Sequence, residues 1–382
     1  MFGSQHRADV VVVGAGVIGL AIAWRAALRG MAVLVLERGA PGAGASHVAA
    51  GMLAPVAEAE PTHRALLELS LGSAARYEAF AAELEQASGR YVGLRACGTL
   101  MAARDADEAE ALERLLTFRL ELGLSVARLR PSEARELEPA LAPALRLALH
   151  LPDDHAVDPR LLSAALRVAL GRAGGQLRAG AAVEALEVSG ERVTGVVLHG
   201  GERVAAGRVV VAAGAWSGAI GGLPEEARLP IRPVKGQILR LRDPAGPGLL
   251  DRVLRTENAY LVPRGDGRYV LGGTMEERGF DTSVTAGAVL DLLHEVAELV
   301  PGVAELELVE TSAGLRPATP DNAPAIGHGA VDGLVWAAGH HRNGVLLAPI
   351  TAEIAAAALA DEPLPALASA FTPTRFATAV PA

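Results

Sequence analysis

Two short stretches carry residue types able to do chemistry, GAGVIG at residues 14–19 and GHHRNGV at 339–345. In the first, Gly14 permits a tight turn, Gly16 lets the backbone approach a pyrophosphate, and Gly19 allows a helix to pack closely on a strand. Val17 and Ile18 open that helix, whose N-terminus favours phosphate charge. Glu37 follows at the spacing where a carboxylate can accept hydrogen bonds from ribose hydroxyls, which argues against a 2′-phosphate and hence against NADP. NAD and FAD both remain open on these residues. The second stretch sets two histidines, an arginine and an asparagine on one turn between hydrophobic runs. On an arbitrary turn such residues are merely solvated. His340 and His341 are adjacent and diverge on either a strand or a helix, so no shared metal is expected.

The elements that must position these groups follow from periodicity. Residues 9–38 divide into a β-branched run (VVVV), the glycine turn, an amphipathic helix and a second strand (AVLVLER), a βαβ unit. GAGASHVAAGMLAP, residues 42–55, is a loop of small residues that can lie against a flat ring and leaves the Ser46 hydroxyl free for a phosphate. Residues 62–88, 105–122 and 131–138 read as helices. Asp158-Pro159 reads as an N-cap with proline at the first helical position, for a helix to about Leu170. Three glycine-punctuated runs between 181 and 216 suggest an antiparallel meander, the last ending in VVVAAGAWS, on its own a core strand. Strands are expected at VKGQILRLR, AYLVPR, RYVLGGT and near 305–310, with helices near 286–299 and from about 344 to 359. PLPALASAFTPTRFATAVPA reads as an extended tail.

Length and composition limit the alternatives. A chain of 382 residues suits two lobes. With a net charge of −9 it has no general basic surface for nucleic acid or anionic lipid. Lys235 is the only lysine and Cys97 the only cysteine, so an intramolecular disulfide is excluded and a reducing, cytoplasmic setting fits. No run of about 18 uninterrupted apolar residues exists, so no transmembrane helix is expected. The apolar N-terminal stretch is broken by glycines and lacks a convincing cleavage site, so it reads as folded structure.

The chain resembles the D-amino-acid oxidase superfamily of FAD-dependent amine oxidoreductases, and most of all the glycine oxidases of thiazole (thiamine) biosynthesis. The resemblance rests on VVVVGAGVIGLAIAW, ASHVAAGML, VVVAAGAWS, RPVKGQILRL, YLVPRGDGRYVLGGTMEERGFD, GLRPATPDNAPAIG and GHHRNGVLLAP, from residue 10 to about 358. It implies an α/β fold: a Rossmann-like FAD-binding domain with an α+β substrate domain built on a mainly antiparallel sheet. The FAD-binding domain would comprise residues 1–85, 150–222 and 312–365, the substrate domain 86–149 and 223–311, and the tail 366–382.

The resemblance further implies that FAD contacts Gly14, Gly16, Val17, Ile18, Gly19, Glu37, Arg38, Ser46, Ala50, Gly51, Met52, Val183, Ala213, Gly214, Trp216, His341, Arg342, Asn343, Gly344, Val345 and Leu346. Binding would be non-covalent, because the stretch where related sarcosine oxidases carry a flavin-linked cysteine here reads RPATPDNAPAIG. Backbone N–H groups of Asn343 to Leu346 would face the pyrimidine end of the flavin. Arg316 would clamp the substrate carboxylate, since a planar guanidinium offers two parallel donors at any working pH. Tyr260 would donate to the same carboxylate, and Arg342 would face the substrate cavity. Asn258, placed by strand alternation on the face of Tyr260, has an open role, and His47 is expected to be structural.

The implied reaction is hydride transfer from Cα to flavin N5 during oxidation of glycine, sarcosine or D-alanine, with dioxygen yielding hydrogen peroxide. Implied partners are a small amino-acid substrate, further copies of the chain in a homotetramer, and a thiazole synthase. The alternatives at this level are a D-amino-acid or sarcosine dehydrogenase, a nicotinamide dehydrogenase on the same βαβ unit, and a flavin-binding subunit of a larger complex.

Overall fold

The computed structural model describes residues 8–376. Strand Ala8–Val13 carries four consecutive valines because it is covered on both faces, as central parallel strands are. Val33–Glu37 and Arg203–Val211 flank it in parallel, Leu334–Ala338 continues the parallel set, and Ala325–His328 closes one edge antiparallel. Gln176–Ala179 forms the other edge, beside Val33–Glu37. Helices Val17–Leu28, Arg64–Ser88, Pro159–Arg172 and Ala348–Leu359 share a core on one face, around the fully buried Trp24. The expected antiparallel meander, Val183–Ser189 and Arg192–Leu198 with Arg203–Val211, covers the other.

A second sheet has the order Glu307–Ala318, Arg232–Arg242, Arg268–Gly272, Tyr260–Pro263, Val253–Arg255, Thr99–Ala103, Leu147–Leu151 and Ala127–Leu129. Its pairs are antiparallel except Val253–Arg255 with Thr99–Ala103. Helix Ala286–Ala297, capped by the Thr285 hydroxyl accepting from Ala288 N at 3.3 Å, packs Leu292 and Val296 onto it. Lys235 alternates to the face of its strand opposite Gly236. It is 1 % exposed, and its Nζ lies 2.6 Å from Asp281 and 3.4 Å from the Ser283 hydroxyl, tying down the segment after Gly273. Among the described residues no helix is long and apolar enough to cross a membrane.

Several expectations need correction. Strands Thr99–Ala103, Leu147–Leu151 and Gln176–Ala179 lack a legible sequence signal: they are short, and only Thr99 among their residues is β-branched. The last helix begins at Ala348, because residues 344–347 form a turn tied to helix Arg64–Ser88. Residues 366–376 are not extended. They form two short 3-10 turns that bury Ala368 and Phe371 against Leu69, Ile326 and Ile350, and Arg375 pairs with Asp321. Residues 377–382 of the expected tail lie outside the described residues.

Candidate active site

One cavity of about 1480 Å³ runs between the C-terminal ends of the parallel strands and the antiparallel sheet. Of the residues expected to contact FAD or substrate, all but Gly19 line it. Gly19 acts one layer back, where a Cβ would run into the Gly14 carbonyl.

At the βαβ end, Gly14 has φ of +104°, and a Cβ there would lie 2.5 Å from the Ala212 carbonyl oxygen. The turn is fixed by side chains from both neighbouring segments. Glu37 accepts from Ala15 N at 2.8 Å and Gly39 N at 3.0 Å, and the Ser46 hydroxyl accepts from Val17 N at 2.9 Å. Both oxygens retain lone pairs, and the Ser46 hydroxyl retains its proton, so each can still meet a ribose or a phosphate. Arg38 stacks on Trp216, its Cζ 3.5 Å from the ring centroid, and Phe280 from the antiparallel lobe stacks near the same ring at 5.5 Å. Val183, Ala213 and Gly214 complete this wall.

Further along, Gly51 takes φ of +80° where a Cβ would press on Pro159 at 2.8 Å, and Ala50 and Met52 flank it. Opposite lies the turn before the last helix. The Tyr77 hydroxyl donates to Val345 O at 3.1 Å and Ser73 Oγ donates to Leu346 O at 2.7 Å, which orients these peptides. The N–H groups of Gly344, Val345 and Leu346 have no partner among the described residues. The Asn343 N–H, expected to join them, is instead taken by His340 O at 2.9 Å, because the turn needs that bond to close. Three convergent backbone donors at the start of a helix favour negative charge. A flat ring with carbonyl acceptors at one end fits this slot, so the donor set suits a flavin.

Both histidines beside the turn are neutral at ordinary pH. Burial pushes His340 down to about 3, and its Nε2 lies 3.0 Å from Thr351 Oγ1. Burial, aided by Arg316, Arg342 and Arg232, pushes His341 down to about 4.

The acid-binding groups occupy the antiparallel sheet. Arg316 lies in strand Glu307–Ala318, and its Nη1 donates to Thr274 O at 2.9 Å and Lys235 O at 3.3 Å. The guanidinium lies across Gly236, where a Cβ would come within 2.5 Å of Cζ. A Cβ on Gly273 would lie 2.9 Å from the Tyr260 hydroxyl and 3.4 Å from Arg316 Nη2, so the two donors converge over the glycines of adjacent strands. Gly314, opposite Gly236 in the ladder, packs on Val48. Asn258 lines the cavity too, but from a turn closed by Thr256 rather than by strand alternation, since the strand starts at Tyr260. His47 does not line the cavity; its carbonyl accepts from Arg160 and Arg240.

Arg342 lines the cavity and pairs with Glu58 and Glu60, and Glu58 also pairs with Arg255. Sequence reasoning missed Gly236, Thr274, Glu58 and Arg255. Only Gly236 carried a local signal, a glycine inside a strand where another group must approach closely. The one thiol, Cys97, is not in the cavity wall. Among the described residues no three His, Cys, Asp or Glu side chains are grouped to hold a metal.

Comparison with known proteins accords with this geometry. A glycine oxidase of Geobacillus kaustophilus is 39 % identical over 91 % of both chains. The crystal structure of glycine oxidase from that organism superposes with a TM-score of 0.91 at 38 % identity, covering 97 % of this chain and 99 % of that one. A bifunctional ThiO/ThiG protein of Synechocystis is 37 % identical over 98 % of this chain, which spans 55 % of that protein's length. The family model described as FAD dependent oxidoreductase matches residues 9–358, and the chain therefore belongs to that family, an FAD-binding enzyme of the D-amino-acid oxidase fold.

Proposed function

We propose that this protein oxidises glycine, and similarly small amines such as sarcosine and D-alanine, to the imine, which hydrolyses to glyoxylate and ammonia from glycine, glyoxylate and methylamine from sarcosine, and pyruvate and ammonia from D-alanine. The observation that carries the reading is the convergence of the Arg316 guanidinium and the Tyr260 hydroxyl in the same cavity as the free N–H groups of residues 344–346. FAD held in this cavity would supply the hydride acceptor, with dioxygen as the final oxidant and hydrogen peroxide as its product.

The residues named here orient rather than exchange protons. Arg316 and Tyr260 hold the carboxylate, which fixes the direction of the Cα–H bond. The wall of Gly236, Gly273 and Gly314 leaves room for a small substrate beside them. The unpartnered N–H groups of Gly344 to Leu346 would offer donors to the pyrimidine end of a flavin, where negative charge would develop. The βαβ glycines, Ser46 and Glu37 hold the phosphates and ribose. His340 and His341, held neutral, take no proton at working pH.

Around this core, residues 1–85, 150–222 and 312–365 form the FAD-binding domain and 86–149 and 223–311 the substrate domain, except that strand Glu307–Ala318 crosses this boundary as the edge of the antiparallel sheet and carries Arg316 with it. The reading also includes a cytoplasmic location, a homotetramer and delivery of the imine to a thiazole synthase; the fusion of a relative of this chain to a ThiG segment supports the last. Anaerobic titration with glycine, sarcosine and D-alanine tests the reaction. Loss of the oxidised-flavin absorbance with glycine is expected, and an unchanged spectrum with all three amines overturns it. Stoichiometric peroxide in air separates an oxidase from a dehydrogenase.

A further inference from the structure

One phenylalanine in the antiparallel lobe makes a contact that no step of the amine reaction uses. Between Met275 and Val284 the chain reads EERGFDTS, so Phe280 is the one apolar side chain in a run of charged and polar residues. It is half exposed, and its ring stacks on Trp216 with centroids 5.5 Å apart and planes inclined by 29°. Trp216 belongs to the other lobe. It lines the cavity at the βαβ end, beside Glu37, and the Arg38 guanidinium lies against the same ring. The partner that takes Phe280 partly out of water is thus a piece of the cofactor wall.

The segment that carries Phe280 is tied down on both sides of it, mainly from strand Arg232–Arg242. Lys235 and Gln237 share the face of that strand opposite Gly236, and both are 1 % exposed. Gln237 holds the two ends: its Nε2 donates to Glu276 Oε1 at 2.8 Å, and its Oε1 accepts from Thr285 N at 2.8 Å. Lys235 holds the middle through Asp281 and the Ser283 hydroxyl. A buried ammonium is costly unless paired, so these bonds keep residues 281–283 on the sheet. The tip between the anchors is a closed turn, with Asp281 N donating to Arg278 O at 3.2 Å, Ser283 N donating to Asp281 Oδ1 at 3.0 Å, and Gly279 at φ of +56°. Phe280 is therefore presented on chain that is already ordered, which lowers the entropic cost of its contact. On either side of it, Met275 and Thr282 reach the rim and line the cavity.

We propose that residues 275–285 form a latch between the two lobes and that Phe280 is its catch, a positioning residue that holds the Trp216 ring in the cavity wall and so slows the release of FAD. Lys235 and Gln237 are the hinge plate of this latch, and the only lysine of the chain has its role there. The latch acts on the cofactor, whichever amine is oxidised.

Release of FAD from the holoprotein after rapid dilution, measured as free flavin separated from protein, tests this without any turnover. Loss of one aromatic pair corresponds to about three- to tenfold in an equilibrium. Phe280→Ala, at a half-exposed site, is expected to release FAD faster by that factor, and Phe280→Tyr, which keeps the ring, to release it at the wild-type rate. In a Trp216→Leu background Phe280→Ala should add nothing, because the two rings share one contact. Trypsin gives a second readout, since the Arg278–Gly279 bond lies at the tip and cleavage there follows the population of opened chain. Mass spectrometry should show that bond cut more slowly in holoprotein than in apoprotein, with the protection by FAD reduced in Phe280→Ala, as reciprocal linkage requires. A release rate in Phe280→Ala within twofold of wild type, an equal acceleration in the Trp216→Leu background, or cleavage after Arg278 that is indifferent to FAD overturns the proposal. Each of these outcomes leaves the amine-oxidising reading standing, which the flavin titration decides separately.

Discussion

Replacing Gly236 by alanine puts a methyl carbon 2.5 Å from Cζ of Arg316. Non-bonded carbons settle at roughly 3.5–4.0 Å, so the guanidinium must withdraw by about 1 Å. It cannot do so and keep its anchors, since Nη1 is held by Thr274 O at 2.9 Å and by Lys235 O, next to Gly236, at 3.3 Å. A hydrogen bond to a charged group contributes about 1.5–3 kcal/mol, and each 1.4 kcal/mol is about tenfold in affinity. Gly236→Ala is therefore expected to raise the KM for glycine by roughly 10- to 100-fold with kcat little changed, because carboxylate binding acts alike on ground and transition states. Steady-state peroxide assays measure this, with the flavin spectrum confirming that the cofactor stays bound. In an Arg316→Ala background the same substitution should add almost nothing, since the two share one interaction. A KM within twofold of wild type, or full additivity with Arg316→Ala, refutes the geometry from which the effect is worked.

Ser46→Ala leaves Val17 N without its acceptor, at a cost of about 1–3 kcal/mol. FAD affinity should fall by roughly 5- to 100-fold on titration of apoprotein, with KM for glycine little affected once the flavin is saturating. kcat/KM for glycine should rise with pH as the substrate amine loses its proton, and His341→Asn should not move that rise, because His341 already titrates near 4; a displaced inflection would count against the neutral imidazole. Stability should respond to acid in a defined window. His340 and His341 titrate at about 3 and about 4 in the fold but near 6.5 when unfolded, so their contribution is complete above pH 6.5 and lost as pH falls toward 4. Each adds about 1.4 kcal/mol per pH unit to the slope between those limits, so urea unfolding at pH 7, 6 and 5 should show His340→Asn flattening it by about that amount.

The parts of this fold that could be read from sequence are those whose signal is local. GAGVIG sits between a valine strand and an alanine-rich helix, and Asp158-Pro159 caps its helix through contacts two and three residues away. Arg316 and Tyr260 have no such signal. Each is one polar residue in a strand, and what unites them is a register that stacks Gly236, Gly273 and Gly314 beneath them; only the resemblance singled them out. Glu58, Arg255 and Arg342 come from segments as much as 284 positions apart and meet only when both sheets are assembled. The turn before the last helix was placed beside the flavin, yet the loss of the Asn343 donor depended on a closure that no spacing specifies.

The burial of Lys235 has a practical corollary. It is the only lysine in the chain, and in the folded protein its ammonium is sealed beneath Asp281 and Ser283, so reagents that acylate primary amines find no reachable ε-amino group among the described residues. Modification at that position then clocks transient opening of the strand that also carries Gly236. Mass spectrometry after timed exposure to such a reagent would follow how often the carboxylate-binding sheet loosens, with and without substrate.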